Sequence, residues 1–151
     1  MPRLSEKSQT KAFVTAAPAG LTRRLGAFVY DVLLIVALWM FTILGGVLLN
    51  EGETVAGTVL QLILAAEALG FYLYFWARQG QTLGMRAWRL KLVTGEGGQP
   101  NLSALFKRAL LAPISFLCFG LGYLWYFVGA RQQTWHDRGS DTYVVLLPKA
   151  R

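Results

Sequence analysis

Residues 25–49 read LGAFVYDVLLIVALWMFTILGGVLL, and Asp31 is the one charged residue among them. At ~1.5 Å rise per residue, a helix of this length outspans the ~30 Å hydrocarbon core of a bilayer. Lipid offers no partners to free backbone groups, so a helix is the form such a run takes. A second apolar run from Val55 to Ala77 (VAGTVLQLILAAEALGFYLYFWA) also holds one charge, Glu67. It closes on Phe71, Tyr72, Tyr74, Phe75 and Trp76 before Arg78, an aromatic belt ended by a cation at headgroup depth. The short acidic loop from Asn50 to Thr54 joins the runs as an antiparallel pair. Ala66 and Gly70, four residues apart, leave room for a neighbouring helix.

Composition agrees with lipid as the solvent. Hydrophobic residues make up 54% of the 151 and charged residues only 15%, against about 25% charged in a typical soluble protein. Mean hydropathy is +0.41. That leaves too few charges to cover a water-soluble surface, and it excludes a disordered chain. A single cysteine, Cys118, excludes an intramolecular disulfide framework and a cysteine-type zinc site. With one histidine, His136, as well, no metal, cofactor or enzymatic activity is expected. The net charge of +7 points to cytoplasmic loops facing anionic lipid rather than to nucleic acid.

Residues 1–20 are polar and mixed and read as a mobile cytoplasmic tail; a cleaved signal peptide is not expected, because the first apolar run starts at Leu25 and is too long. Residues 21–147 form the membrane domain, and 148–151 a C-terminal tail. After Arg78, the stretch from Gly80 to Met85 reads as a turn. The alternation Arg89-Leu90-Lys91-Leu92 is strand-like, and Thr94 to Pro100 ends it with turn residues. Asp141 to Pro148 is β-branched and aromatic, so a small cytoplasmic β pairing with the earlier segment is expected. Residues 102–130 admit two forms: a short helical hairpin joined at Cys118 to Gly122, with Lys107 and Arg108 suiting the start of its first helix at the interface, or one third crossing over 109–130.

Loop charges bear on that choice. Lys and Arg number five before Leu25, none in the 50–54 loop, six between 78 and 108, and four after 130. The positive-inside rule places the N-terminus and the 78–108 segment in the cytoplasm. The basic C-terminal tail prefers the same side, which a hairpin allows and a third crossing does not. The expected fold is therefore an all-α membrane protein. It has two full transmembrane helices and a third hydrophobic region as a short hairpin, with one third transmembrane helix as the alternative.

The chemistry lies in acids where acids are expensive. A carboxylate at mid-bilayer costs above ~2.5 kcal/mol, so it faces a partner or a wet cavity. Asp31 is six residues inside the first run, roughly 9 Å deep, and Arg24 is two turns back on the same face. Glu67 is eleven residues before the end of the second run, roughly 16 Å deep, which separates the two acids in height by about 7 Å. Two functional classes follow. In one, a small transporter exchanges monovalent cations for protons, with Asp31 as the titrating acid, Arg24 its tuner, Glu67 a secondary acid, Asp137 a gate at the cytoplasmic mouth, and a homo-oligomer enclosing the path. In the other, a non-transporting scaffold or assembly factor uses an Arg24–Asp31 pair, and a bond from Glu67 to a neighbouring helix, only to orient helices.

Other features are weaker. Gly120-Leu121-Gly122-Tyr123 has Tyr where the second acid of an intramembrane aspartyl protease stands, which rejects that activity. Gly95, Gly97 and Gly98 lack the context of a phosphate loop and read as a turn. His136-Asp137 reads either as a proton relay at the cytoplasmic mouth or as an ordinary capping or headgroup contact. Arg86, Arg89 and Lys91 with Trp88 read as an anionic-lipid contact.

Assembled, these residues resemble the RDD family of mostly bacterial membrane proteins, named for one arginine and two aspartates. The resemblance covers about Leu21 to Leu147. The family's arginine falls on Arg24 (with Arg23 the near alternative), its first aspartate on Asp31 and its second on Asp137. The turn Gly80-Gln81-Thr82-Leu83-Gly84-Met85-Arg86 resembles the family's middle section. The closing pattern runs from Arg131 through His136-Asp137-Arg138 to Thr142 and the pair Val144-Val145. Asp141 departs from the family, which more often has Gly there. Glu67 is not in the named triad, so its weight rests on its depth alone. The resemblance implies an integral protein of the bacterial inner membrane with a suspected transport activity; some relatives resemble cation/proton antiporters.

Overall fold

The structure, a computed structural model, describes residues 17–53, 56–118, 121–127 and 133–148. The two apolar runs are helices α1 (Leu21–Leu49) and α2 (Thr58–Gln79), both long and apolar enough to cross a membrane. At ~1.5 Å per residue they measure about 43 and 33 Å. Their outer faces are bare: Phe41 is 74% exposed and Leu48 72%. Apolar surface on that scale marks contact with lipid or another protein. Two polar bridges fix their pairing. The Trp39 indole N–H donates to Leu64 O at 2.9 Å, and Thr42 Oγ1 donates to Glu67 Oε1 at 2.6 Å.

Gly80 ends α2 in the left-handed region (φ 65°), where a glycine carries no Cβ penalty, and donates its N–H to Trp76 O. A five-residue helix α3 (Leu83–Ala87) follows, then strand β1 (Leu90–Thr94). Helix α4 (Leu102–Leu117) starts on Asn101, whose side chain accepts from Ala104 N–H at 2.8 Å. After it come α5 (Leu121–Leu124), a 3₁₀ turn (Trp125–Phe127), α6 (Trp135–Gly139) and strand β2 (Thr142–Leu146).

The small sheet expected from the alternating and β-branched segments forms. β1 and β2 pair antiparallel, with Leu92 opposite Val144 at the centre. The fold is thus mostly helical rather than all helix. On the other edge of β2, Pro18 bridges Val145, Ala19 N–H donates to Val144 O at 2.9 Å, and Leu146 N–H donates to Ala17 O at 3.1 Å. The last residues of the expected N-terminal tail are therefore part of the fold; residues 1–16 and 149–151 lie outside the described residues.

No single helix runs through 109–130. α4 ends at Leu117, and the chain doubles back so closely that an added Cβ on Gly122 would lie 2.8 Å from Ser115 Cα. In an unbroken helix, residues seven apart are about 10 Å apart along the axis. The region is a helix with a short return. Ala19, Ala27, Trp76, Met85, Leu90, Leu92, Leu105 and Val144 form one buried cluster. The core therefore lies where the sheet and short helices meet the ends of α1 and α2, not along the spans.

Candidate functional site

Asp31 is 2% exposed, and both its oxygens are taken. Thr82 Oγ1 donates to Oδ2 at 2.5 Å and Gly84 N–H donates to Oδ1 at 2.8 Å. Thr82 is the N-cap of α3, and the same hydroxyl accepts from Met85 N–H at 3.1 Å. The carboxylate thus satisfies a backbone donor that the first turn of a helix leaves open. Glycine at 84 is a steric requirement. A Cβ there would strike Ala27 O and lie 2.9 Å from Asp31 Oδ1. Trp88, just past α3, closes over Gly26 in the same way. Asp31 fastens α3 to α1.

Asp137 sits in α6 with no exposed surface. Arg24 Nη1 donates to Oδ2 and Arg108 Nη1 to Oδ1, each at 2.5 Å, and Thr134 N–H donates to Oδ2 at 3.2 Å. The arginine side chains are 8% and 7% exposed. Arg24 also donates from Nε to Ala19 O (3.0 Å) and from Nη2 to Val144 O (3.3 Å), with its guanidinium over the Tyr126 ring. Arg108 donates to Thr142 Oγ1 at 2.8 Å and lies over Trp76. One carboxylate thereby joins α1, α4 and α6, and through the arginines the sheet. Burial alone would push the Asp137 carboxyl up; the Arg108 and Arg24 cations outweigh it and hold the group well below the usual carboxylate range.

His136 packs beside this cluster, 4% exposed. Its Nε2 is 2.9 Å from Thr134 Oγ1 and its Nδ1 3.4 Å from Ser115 Oγ. Burial, and then the Arg108 cation, push its pKa down to about 3 against the opposing pull of Asp137. The imidazole is neutral at neutral pH and bonds to hydroxyls, away from any headgroup.

The structure brings the named arginine and the second aspartate together and sets the first aspartate apart. The expected Arg24–Asp31 pair gives way to two separate keys. Arg24 turns toward the sheet and Asp137, while α3 brings its donors to Asp31. Glu67 is not level with Asp31 either. It meets Thr42, eleven residues further along α1, about 16 Å by helical rise. The 7 Å estimate counted both helices from the apolar ends of the runs, whereas the side-chain bridges set the real register. Arg108 is the residue that sequence reasoning placed at a helix start by the interface. It is buried as the second cation on Asp137. A signal was present: Leu105, Arg108, Leu111 and Ser115 share one helical face at spacings of three and four. Of the lipid-contact cluster, Arg86 is exposed and donates to Gln79 Oε1 at 3.3 Å, Trp88 is 40% exposed, and Arg89 and Lys91 are half-buried around the start of β1.

The RDD family model matches residues 18–141 of the chain, a span that holds Arg24, Asp31 and Asp137. No curated protein and no solved structure matches it.

Proposed function

The chain belongs to the RDD family, and from that membership and its buried ionic groups we propose that it is a non-transporting membrane scaffold. Its charges orient helices and hold a packed cap of sheet and short helices against one face of the bilayer. One observation carries this reading: Asp137, with no exposed surface, has both oxygens occupied by two guanidiniums and a backbone N–H. An acid that passes protons or cations must open to water. Here opening would strand two nearly sealed arginines, and breaking such a buried pair costs about 3–5 kcal/mol. Asp31 is closed in the same manner by Thr82 and Gly84.

The location proposed is the bacterial inner membrane, with α1 and α2 crossing it, the third hydrophobic region returning as a hairpin, and both tails cytoplasmic. The distribution of Lys and Arg supports this. So does β2, which lies between β1 and residues 17–19 and so keeps the tail after it beside the start of α1. Arg86 and Trp88 on the same side suit anionic headgroups, with Arg89 and Lys91 beside them.

A flux measurement tests the scaffold. Purified protein in liposomes is expected to move no protons under a cation gradient, and Asp31→Asn to lower yield and melting temperature. Proton flux in wild type that Asp31→Asn abolishes in a folded protein would overturn it. One observation favours the transport reading: Glu67 Oε2 is buried inside an apolar span without a hydrogen-bond partner among the described residues. That oxygen suits a wet cleft completed by a second copy, exchanging a monovalent cation for a proton. Flux lost in Glu67→Gln alone assigns the path to that acid.

A further inference from the structure

Residues 81–94 and 133–146 share one build. Gln81-Thr82 opens α3, and Gln133-Thr134 opens α6, 52 residues later. Each threonine is an extended N-cap, and each helix has five residues with an arginine fourth, Arg86 and Arg138. Each then passes through a left-handed residue, Arg89 (φ 57°) or Asp141 (φ 50°), into a five-residue strand. Along both strands buried and half-buried positions follow the same order. The pairing completes the symmetry. Leu92 stands opposite Val144, its own counterpart under the same shift of 52, so the strand pair is two-fold about its centre. Self-similarity at a fixed offset is the mark of an internal repeat.

The preceding helices follow the pattern with a different offset. Arg24 of α1 and Arg108 of α4 both donate to Asp137. Seven residues beyond Arg24, Asp31 is keyed to Thr82 and Gly84. Seven beyond Arg108, Ser115 reaches Thr134 through the ring of His136, the counterpart of Gly84. The shorter serine is extended by an imidazole where the first unit uses a carboxylate. From Arg24 to Thr82 is 58 residues, but from Arg108 to Thr134 only 26. The second unit lacks 32 residues, and about 16 missing from each leg shortens its hairpin by about 24 Å.

We propose that α4 and the return from it are a shortened second copy of the α1–α2 hairpin, and that acyl chains of a single leaflet cover its outer stripe, Phe106, Leu110, Ile114 and Leu117. This rests on the membrane reading above. The stripe follows helical spacing and is 48%, 63%, 52% and 77% exposed, while Leu105, Arg108 and Ser115 on the opposite side are buried. Length sets the depth. From Arg24, α1 continues 25 residues to Leu49, about 38 Å and a full crossing; from Arg108 the apex at Cys118 is ten residues away, about 15 Å, half of the ~30 Å core. Lys107 is exposed next to Arg108, and the Trp125 and Trp135 rings pack 6.0 Å apart at the start of the helix that carries Asp137, a cation and indoles suited to the water–lipid boundary. Both hairpins enter from one side, so the two-fold runs along the membrane normal, as in parallel internal repeats.

Cys118, the single cysteine, sits at the apex and reports its own depth. With the full chain in right-side-out and inverted vesicles, a membrane-impermeant maleimide is expected to leave Cys118 unlabelled from both sides. Small permeant N-ethylmaleimide labels it, as does the impermeant reagent in detergent. A nitroxide on Cys118 is relaxed by oxygen more than by a water-soluble nickel chelate. Ile114→Lys is expected to cut the inserted yield several-fold, and Leu102→Lys, on the water side of the arginines, to leave it unchanged. Impermeant labelling from the side opposite the tails means a full crossing, and labelling from the tail side means a hairpin in water. Cys118–Cys118 cross-linking that persists in excess lipid means a second copy covers the stripe. Each overturns the proposal. Release of the whole chain by alkaline carbonate is a separate result, and it sinks the membrane reading itself.

Discussion

Replacing Asp137 by asparagine preserves shape and removes one charge. In the native cluster two guanidiniums, 8% and 7% exposed, share a single sealed carboxylate, so the group already carries one excess positive charge while His136 is neutral. Asp137→Asn raises that excess to two and leaves both arginines without a counter-ion at 2.5 Å. Breaking a buried pair costs about 3–5 kcal/mol, a large share of the ~5–15 kcal/mol that holds a domain together. Thermal melts of the purified chain in a mild detergent read the effect. Asp137→Asn is expected to melt lower than either Arg24→Met or Arg108→Met, because it strands two cations and each arginine variant strands none. Adding Arg108→Met to Asp137→Asn should recover part of the loss, since one uncompensated cation then disappears. Such non-additivity is what a double-mutant cycle reads for residues in one network. If Asp137→Asn melts with wild type, or if the second substitution makes matters worse, the cluster is not held by its charges and the scaffold argument fails.

Acid sensitivity follows from His136. Its pKa is held at about 3 in the fold against ~6.5 in the unfolded chain, so between those values only the unfolded chain takes up the proton, and stability falls as pH falls. From pH 7 to 5 the loss is about 2 kcal/mol; a His136→Gln variant with the same pH dependence as wild type refutes it. Asp137, held below its unfolded value, contributes stability that persists above the ordinary carboxylate range and disappears only at much lower pH. Gly84→Ala should destabilise by at least ~1–3 kcal/mol, because the new Cβ meets the Ala27 carbonyl and Asp31; an unchanged melt would show that α3 rides free of α1. Asp141→Gly should stabilise by ~0.5–1 kcal/mol, since φ 50° favours glycine, and a lower melting temperature would place the aspartate in a role that its backbone does not explain.

The two spans, the strand pair and the acid inside the first span were legible in the chain itself, for a local reason, whereas Arg24 and Asp137 were singled out by the family resemblance. Apolar length, alternation and turn residues act over a few neighbours, and an acid in a greasy helix stands out against its background. Even the departure at Asp141 has a local account, a helix-ending left-handed residue where glycine is the easier fit. Which charge meets which was not local. Arg24 and Asp137 are 113 residues apart, and no spacing rule links them. Helical periodicity put Asp31 on the same face as Arg24, but periodicity ignores what docks on that face. The arrival of Thr82 and Gly84 gave Asp31 its partners and released Arg24 to the sheet. Arg108 looked like a boundary cation because its helix begins six residues earlier. Only when α6 packs on that helix does its guanidinium become buried beside Asp137. Residue type therefore determined where the chain sits and which side chains are costly to bury. The tertiary structure decided who neutralises them, because a buried charge is tolerated by whatever the fold brings within hydrogen-bond reach, and that reach is set by packing.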